Sequence, residues 1–176
     1  MSKPHIEIRA ATPEDAISIA LLGRITFRQT FEHLFEYPEE LKDYLDSTFD
    51  VAKLRRSLDH TERKYWIALA DDLPIGYSKL KLDSPSEFIE KKEVCQLQKI
   101  YVLKDFHSLK VGHQLQSELL HQAVSLGYQT IWLSVLKSNL RAINFYLKQG
   151  FKETGSHDFS IGQQNFLFSI MSKQLV

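Results

Sequence analysis

Cysteine is nearly missing from this chain of 176 residues: Cys95 stands alone. An internal disulfide is therefore excluded, and a reducing compartment fits. Cys95 sits inside an apolar, strand-like run and reads as a small buried hydrophobe rather than a nucleophile. Net charge is missing as well, because 22 basic residues balance 22 acidic ones. No bulk attraction to nucleic acid or to a membrane surface is expected. No apolar run approaches the roughly 18 residues that a membrane span needs. The first residues, "MSKPHIEIRAATPED", lack an apolar signal core, so the expected location is the cytoplasm. Repeats, low-complexity tracts and interdomain linkers are all absent, and the expectation is one domain over 1–176. Glycine is sparse, at seven residues. That shortage matters most at "DFHSLKVGHQL", residues 105–115.

What is present is ordinary globular material, 43% hydrophobic and 25% charged. "HIEIRA" alternates and predicts a first strand. "ATPEDAISIALL" predicts a helix, with Thr12 as N-cap and Pro13 in the first turn. "YPEELKDYLDSTF" predicts a second helix with Leu41, Tyr44, Leu45 and Phe49 on one face. "DVAKLRRSL" predicts a third, capped by Asp50. "KYWIALA" and "IGYSKLKL" flank "DDLP" as a hairpin, and "EVCQLQKIYVL" is a long strand. Helix 111–126 carries the stripe Val111, Leu115, Leu119, Leu120, Ala123 and Val124. "TIWLSVL" is a strand, and "NLRAINFYLKQ" is a short helix capped by Asn139 and stopped by Gly150. Two strands close the chain. The order is strand, three helices, three strands, helix, strand, helix, two strands. It predicts an α/β (α+β) fold with a mixed sheet of about seven strands and helices on both faces. A parallel pair around helix 111–126 would leave a ligand crevice at its strand ends.

The segment 105–115 joins a strand to that helix. The amides of about Leu109 to His113 lack intrahelical partners and carry the positive end of the helix dipole. A pyrophosphate would satisfy several of them. Gly112 permits close backbone approach, and Lys110 and His107 could add charge. A solvated turn feeding a core helix accounts for the same residues, and both readings stand at this point.

A second segment, "SNLRAINFYLKQGF", places Asn139, Ala142, Phe145, Tyr146, Gly150 and Phe151 in the pattern N-x-x-A-x-x-F-Y-x-x-x-G-F. With "YVLKDFHSLKVG" ahead of it, the chain resembles the GCN5-related N-acetyltransferase (GNAT) superfamily over about residues 92–173. The family loop reads (Gln/Arg)-x-x-Gly-x-(Gly/Ala); here His107 and Lys110 replace the first two and Gly112 matches the last. "LQKIYVLKDFH", "YQTIWLSV", "GSHDFSIG" and "TFRQTFEHLF…YPEELKDYL" resemble bacterial spermine/spermidine N-acetyltransferases in particular. Leu136 and Lys137 stand where that subgroup carries Trp and an acid.

The resemblance implies acetyl transfer from acetyl-CoA, as cosubstrate, to a primary amine, with a polyamine such as spermidine or spermine as the expected acceptor. It implies that the backbone of Ile100, Tyr101 and Val102 holds the pantetheine arm. His107, Ser108, Leu109, Lys110, Val111, Gly112 and His113 form the pyrophosphate loop. Asn139 contacts the arm, and Tyr146 is the general acid. The base is unassigned: Gln96 stands where several relatives carry Glu, and Glu93 is an odd step away on the strand. Seven acids against one lysine between Glu32 and Asp50 make an acidic wall, with Glu36, Glu39 and Glu40 as the expected amine-binding residues. No metal set is expected, since His113 and His121 lie eight residues apart on one helix. The rival readings are a non-catalytic acyl-CoA-binding module and an N-acetyltransferase for a peptide or protein N-terminus. The last strand admits a monomer or a homodimer.

Overall fold

A computed structural model describes residues 3–175. The strands are β1 (Ile6–Ala10), β2 (Arg63–Ala70), β3 (Leu73–Lys81), β4 (Val94–Val102), β5 (Thr130–Leu136), β6 (Lys152–Ile161) and β7 (Gln164–Gln174). The helices are α1 (Ala16–Phe31), α2 (Pro38–Thr48), α3 (Val51–Leu58), α4 (Val111–Ser125) and α5 (Leu140–Lys148). This is the expected element order. One mixed seven-stranded sheet runs β1-β2-β3-β4-β5-β7-β6. Among the described residues, no helix is long and apolar enough to cross a membrane.

Local chemistry explains most boundaries. Asp15 accepts from the Thr12 amide at 2.8 Å and returns its own amide to the Thr12 carbonyl. Asp50 accepts from the Lys53 amide at 2.7 Å and starts α3. Asp71 and Asp72 take φ of 46° and 67°, the left-handed pair that a two-residue hairpin demands. α1 continues to Phe31, beyond the stretch "ATPEDAISIALL" that starts it. Ile19, Leu22, Gly23, Thr26 and Phe27 keep one buried face through that extension.

The sheet separates two cores. On one face α4 buries Val111, Leu115, Leu119 and Ala123 against Ile75, Leu97, Ile131 and Leu133. Val124, expected in that stripe, is 44% exposed. On the other face α1, α2 and α3 pack Ile19, Leu45, Phe49 and Leu54 against Tyr65, Ile67 and Tyr77.

One junction positions the site. β4 and β5 are parallel and pair only through Val94–Thr130, Cys95–Ile131 and Gln96–Trp132. Immediately beyond, the β3–β4 register slips: Lys79 faces Lys99 while Leu80 faces Leu97, which leaves Gln98 as the extra residue. A bulge bends and twists its strand. Past it β4 and β5 diverge, and the remaining stretch of β4 borders open space.

Candidate active site

Two cavities meet at the divergence. The larger, about 630 Å³, lies between the ends of α1 and α2, loop 85–88, the free half of β4, β5 and the β6–β7 hairpin. The smaller, about 540 Å³, lies between the end of β4, the start of α4 and α5. Ile100, Tyr101, Asn139, Ala142 and Tyr146 line both. Tyr146 comes from α5 and is buried, with Phe145 and Phe151 edge-on to its ring. Burial pushes its phenol above the usual tyrosine pKa, so it stays protonated at neutral pH. Asn139 spends its side-chain oxygen on the Ala142 amide at 3.2 Å, capping α5, and still borders both cavities.

Lys110, which stands where the family loop carries glycine, has φ 57° and ψ 25° although it bears a Cβ. The left-handed turn that glycine would supply is kept, at a cost of roughly 1–2 kcal/mol for a non-glycine residue. The reason is the connection itself. The 3-10 segment Lys104–Leu109 must reverse into α4, and Lys110 ends one and starts the other. His107 was expected to add positive charge, and it does not. Its Nε2 donates to the Val102 carbonyl at 2.8 Å, and Arg141 donates to its Nδ1. Both ring nitrogens are thus used by a neutral imidazole, and burial lowers its pKa further. The charge at this cavity belongs to Lys110 and Arg141.

Other loop residues divide. Val102, His107, Lys110, Gly112 and His113 line the smaller cavity. Ser108 is exposed, Leu109 packs on the core and Val111 is fully buried; none of these side chains lines either cavity. The His113 amide, expected to be free, donates to the Lys110 carbonyl at 3.1 Å. A Cβ built at Gly112 would meet nothing nearer than Ile100 Cγ2 at 3.9 Å. The protein's own packing therefore does not require glycine there, and the space above it is open to a ligand.

The acidic wall lies elsewhere. Glu36, Glu39 and Glu40 line neither cavity. Glu40 accepts from the Gln163 amide at 3.0–3.1 Å and from its side-chain amide at 3.2 Å, tying α2 to the β6–β7 turn. Asp46 pairs with Arg24 and Lys42, both at 2.7 Å, and Glu32 pairs with Arg28 at 2.6 Å. Glu93 is exposed just before β4 with φ 51°. Among the described residues, no group of three His, Cys, Asp or Glu could hold a metal ion.

Sequence reasoning missed three residues. Arg141, which lines the smaller cavity, is the second residue of α5, where a cation opposes the helix dipole; that placement is the signal that could have singled it out. His157 lines the larger cavity with Nε2 2.8 Å from Ser134 Oγ. Its Nδ1 lies 3.2 Å from the Asp158 carbonyl, which can only accept, so Nε2 is left to accept from the serine hydroxyl. Lys99 reaches the same cavity from β4.

A family model described as "Acetyltransferase (GNAT) family" matches residues 26–151. The chain belongs to the GNAT acetyltransferase family. Within that family it is an N-acetyltransferase. It is 27% identical, over 79% of its length and 85% of the relative's, to a protein of Mycobacterium tuberculosis (strain ATCC 25618 / H37Rv) named as an uncharacterized N-acetyltransferase. It is 24% identical to a likewise uncharacterized N-acetyltransferase of Lactobacillus delbrueckii subsp. lactis, over 97% of this chain and 98% of that one. Among solved structures, the PaiA N-acetyltransferase of Thermoplasma acidophilum in complex with coenzyme A superposes with a TM-score of 0.77 at 22% identity, covering 97% of this chain and 99% of that one. A ribosomal-protein-alanine N-acetyltransferase of Brucella melitensis shares the fold at a TM-score of 0.69 and 18% identity, covering 96% and 99%. The GNAT fold therefore frames this site, and the acceptor has to be read from its cavity.

Proposed function

We propose that the chain, as a single domain, transfers an acetyl group from acetyl-CoA to a primary amine. The observation that carries this is the position of Tyr146 on the shared wall of two cavities that meet where β4 leaves β5. Acetyl-CoA would supply an activated acyl group. The fit is supported by the open space over Gly112, by Lys110 and Arg141 at the same cavity, and by the coenzyme A bound to the PaiA relative. In this reading the start of α4, Lys110 and Arg141 hold phosphate. The stretch of β4 from Ile100 to Val102, paired with β3 but not with β5, holds the pantetheine arm by backbone hydrogen bonds on its free edge. Tyr146 gives its proton to the departing sulfur, whose conjugate acid has a pKa of about 8.5 by analogy with a cysteine thiol. Ser134 and His157 take the proton from the attacking amine: the serine oxygen receives it, and its own proton passes to His157 Nε2.

The sequence motifs favour a polyamine acceptor. The lining supports it less, because Glu87 is the one carboxylate among the described residues of the larger cavity and Lys99 faces the same space. Phe27, Phe31, Phe35, Phe88, Phe166 and Phe168 make the walls apolar. The better-supported acceptor is an amine with an apolar or aromatic body. Acetyl-CoA should raise the melting temperature by mass action, and thiol release should require an added amine. No thermal shift at millimolar acetyl-CoA would reject the reading, and a shift without thiol release from any amine would leave an acyl-CoA-binding module in its place.

A further inference from the structure

Lys99 is a half-buried cation in the larger cavity without an acidic partner. Its ammonium lies 5.0 Å from the Phe49 ring centre and 5.2 Å from that of Tyr101. Among the described residues it makes no ion pair. Its cross-strand neighbour on β3 is another lysine, Lys79, itself 5.3 Å from the Tyr65 ring centre. Like charges directly opposite on a sheet repel. Aromatic faces offset part of that cost, by roughly 0.5–2 kcal/mol each. Burial lowers the pKa of both amines, that of Lys79 to about 7, with Lys99 as the next cause. Two adjacent, desolvated lysines without a carboxylate are expensive to keep. The cost falls if the missing anion arrives with a ligand.

The remaining groups facing the space agree. Tyr44 and Tyr101 border Lys99 with phenols that burial keeps neutral. Glu87 is exposed on the far loop. The cavity thus offers apolar walls, one cation at its β4 wall and, at the Tyr146 end, the place where acetyl transfer would occur. We infer that the acceptor carries a carboxylate as well as its amine, on an apolar or aromatic body, and that Lys99 is the residue that receives the carboxylate. The class is an amino acid or a similar amine-acid rather than a polyamine. This rests on the acetyl-transfer reading of the same site.

The test compares acceptors that differ only in the carboxylate: L-phenylalanine against 2-phenylethylamine, and L-methionine against 3-(methylthio)propylamine, with spermidine alongside. The native protein should show a kcat/KM at least about tenfold higher for one carboxylated member over its partner, the usual size of a charge-assisted contact. Lys99→Met should bring that ratio near one, chiefly through KM, and Lys99→Arg should restore much of it. Binding gives a second readout independent of turnover. With CoA present, N-acetyl-L-phenylalanine should stabilise the native protein more than N-acetyl-2-phenylethylamine, and Lys99→Met should remove the difference. Equal or better use of the decarboxylated amines or of spermidine would overturn the inference while acetyl transfer stands. A loss in Lys99→Met that is the same for both members of a pair would overturn it too. If no amine is acetylated, the acetyl-transfer reading fails, and the N-acetyl binding pair still decides the role of Lys99: equal binding rejects it.

Discussion

Arg141 donates to His107 Nδ1 while His107 Nε2 donates to the Val102 carbonyl, so one imidazole joins the first turn of α5 to the end of β4. The two side chains come from motifs 34 positions apart. The contact holds the guanidinium beside the start of α4, where an anion would gain both a charge and helix-end amides. Arg141→Gln should weaken CoA binding about tenfold, the range of one charge-assisted hydrogen bond. Calorimetry with CoA at low and high salt would check it. The deficit should shrink as salt rises, because screening weakens the native contact.

His107 also makes a pH prediction. Its folded pKa lies below the ordinary value of about 6.5 because burial disfavours the charged ring. Below that ordinary value the unfolded chain protonates first and binds more protons than the native one. Stability must then fall as pH drops from about 7, until the native ring also protonates. Above about 7 both states are neutral and His107 contributes no pH dependence. Denaturant melts from pH 5 to 8 should show a shallower acid-side loss in His107→Gln than in the native chain. Equal slopes would refute the assignment of a neutral, bridging imidazole.

Lys110 holds a left-handed conformation that a glycine adopts without strain. Lys110→Gly should therefore stabilise the fold by about 0.5–1 kcal/mol, the strain relief being partly offset by greater freedom of the unfolded chain. For a chain of this size, Tm should rise by about 1–4 °C. Lys110→Val, β-branched at the same φ, should lower it. The glycine variant also loses a charge at the smaller cavity, so stability and CoA affinity should move in opposite directions.

Tyr146→Phe keeps the buried ring and removes only the hydroxyl. Turnover should fall by about 10²–10⁴-fold with little change in CoA affinity. His157→Gln should lower kcat as well, by the roughly 10²–10⁴-fold range of a lost proton acceptor, and leave the thermal shift by acetyl-CoA in place. Single-turnover rates of both variants would check this. A His157→Gln enzyme with the native single-turnover rate would remove Ser134 and His157 from the proton route.

Much of this was legible in the sequence because it is encoded by near neighbours. Stripes three and four residues apart set the buried faces of α2 and α4, and Val111, Leu115 and Leu119 all became core. Caps such as Asp50 and Asn139 fixed helix starts through bonds within three residues. The two motif segments carried the GNAT family, and the sheet then gathered Tyr146, Asn139 and the β4 backbone at one gap. Charge was not legible in the same way. Glu40 found its partner 123 positions away at Gln163, and Arg141 found His107 across the sheet end. Lys99 met Lys79 only through the β3–β4 register, and the neighbouring slip at Gln98 opened β4 toward the cavity. A local pattern tells which residues turn inward. What each charged side chain meets there depends on register and on segments brought together by closure of the sheet, so the surroundings of Glu40, Arg141 and Lys99 were decided by tertiary structure alone.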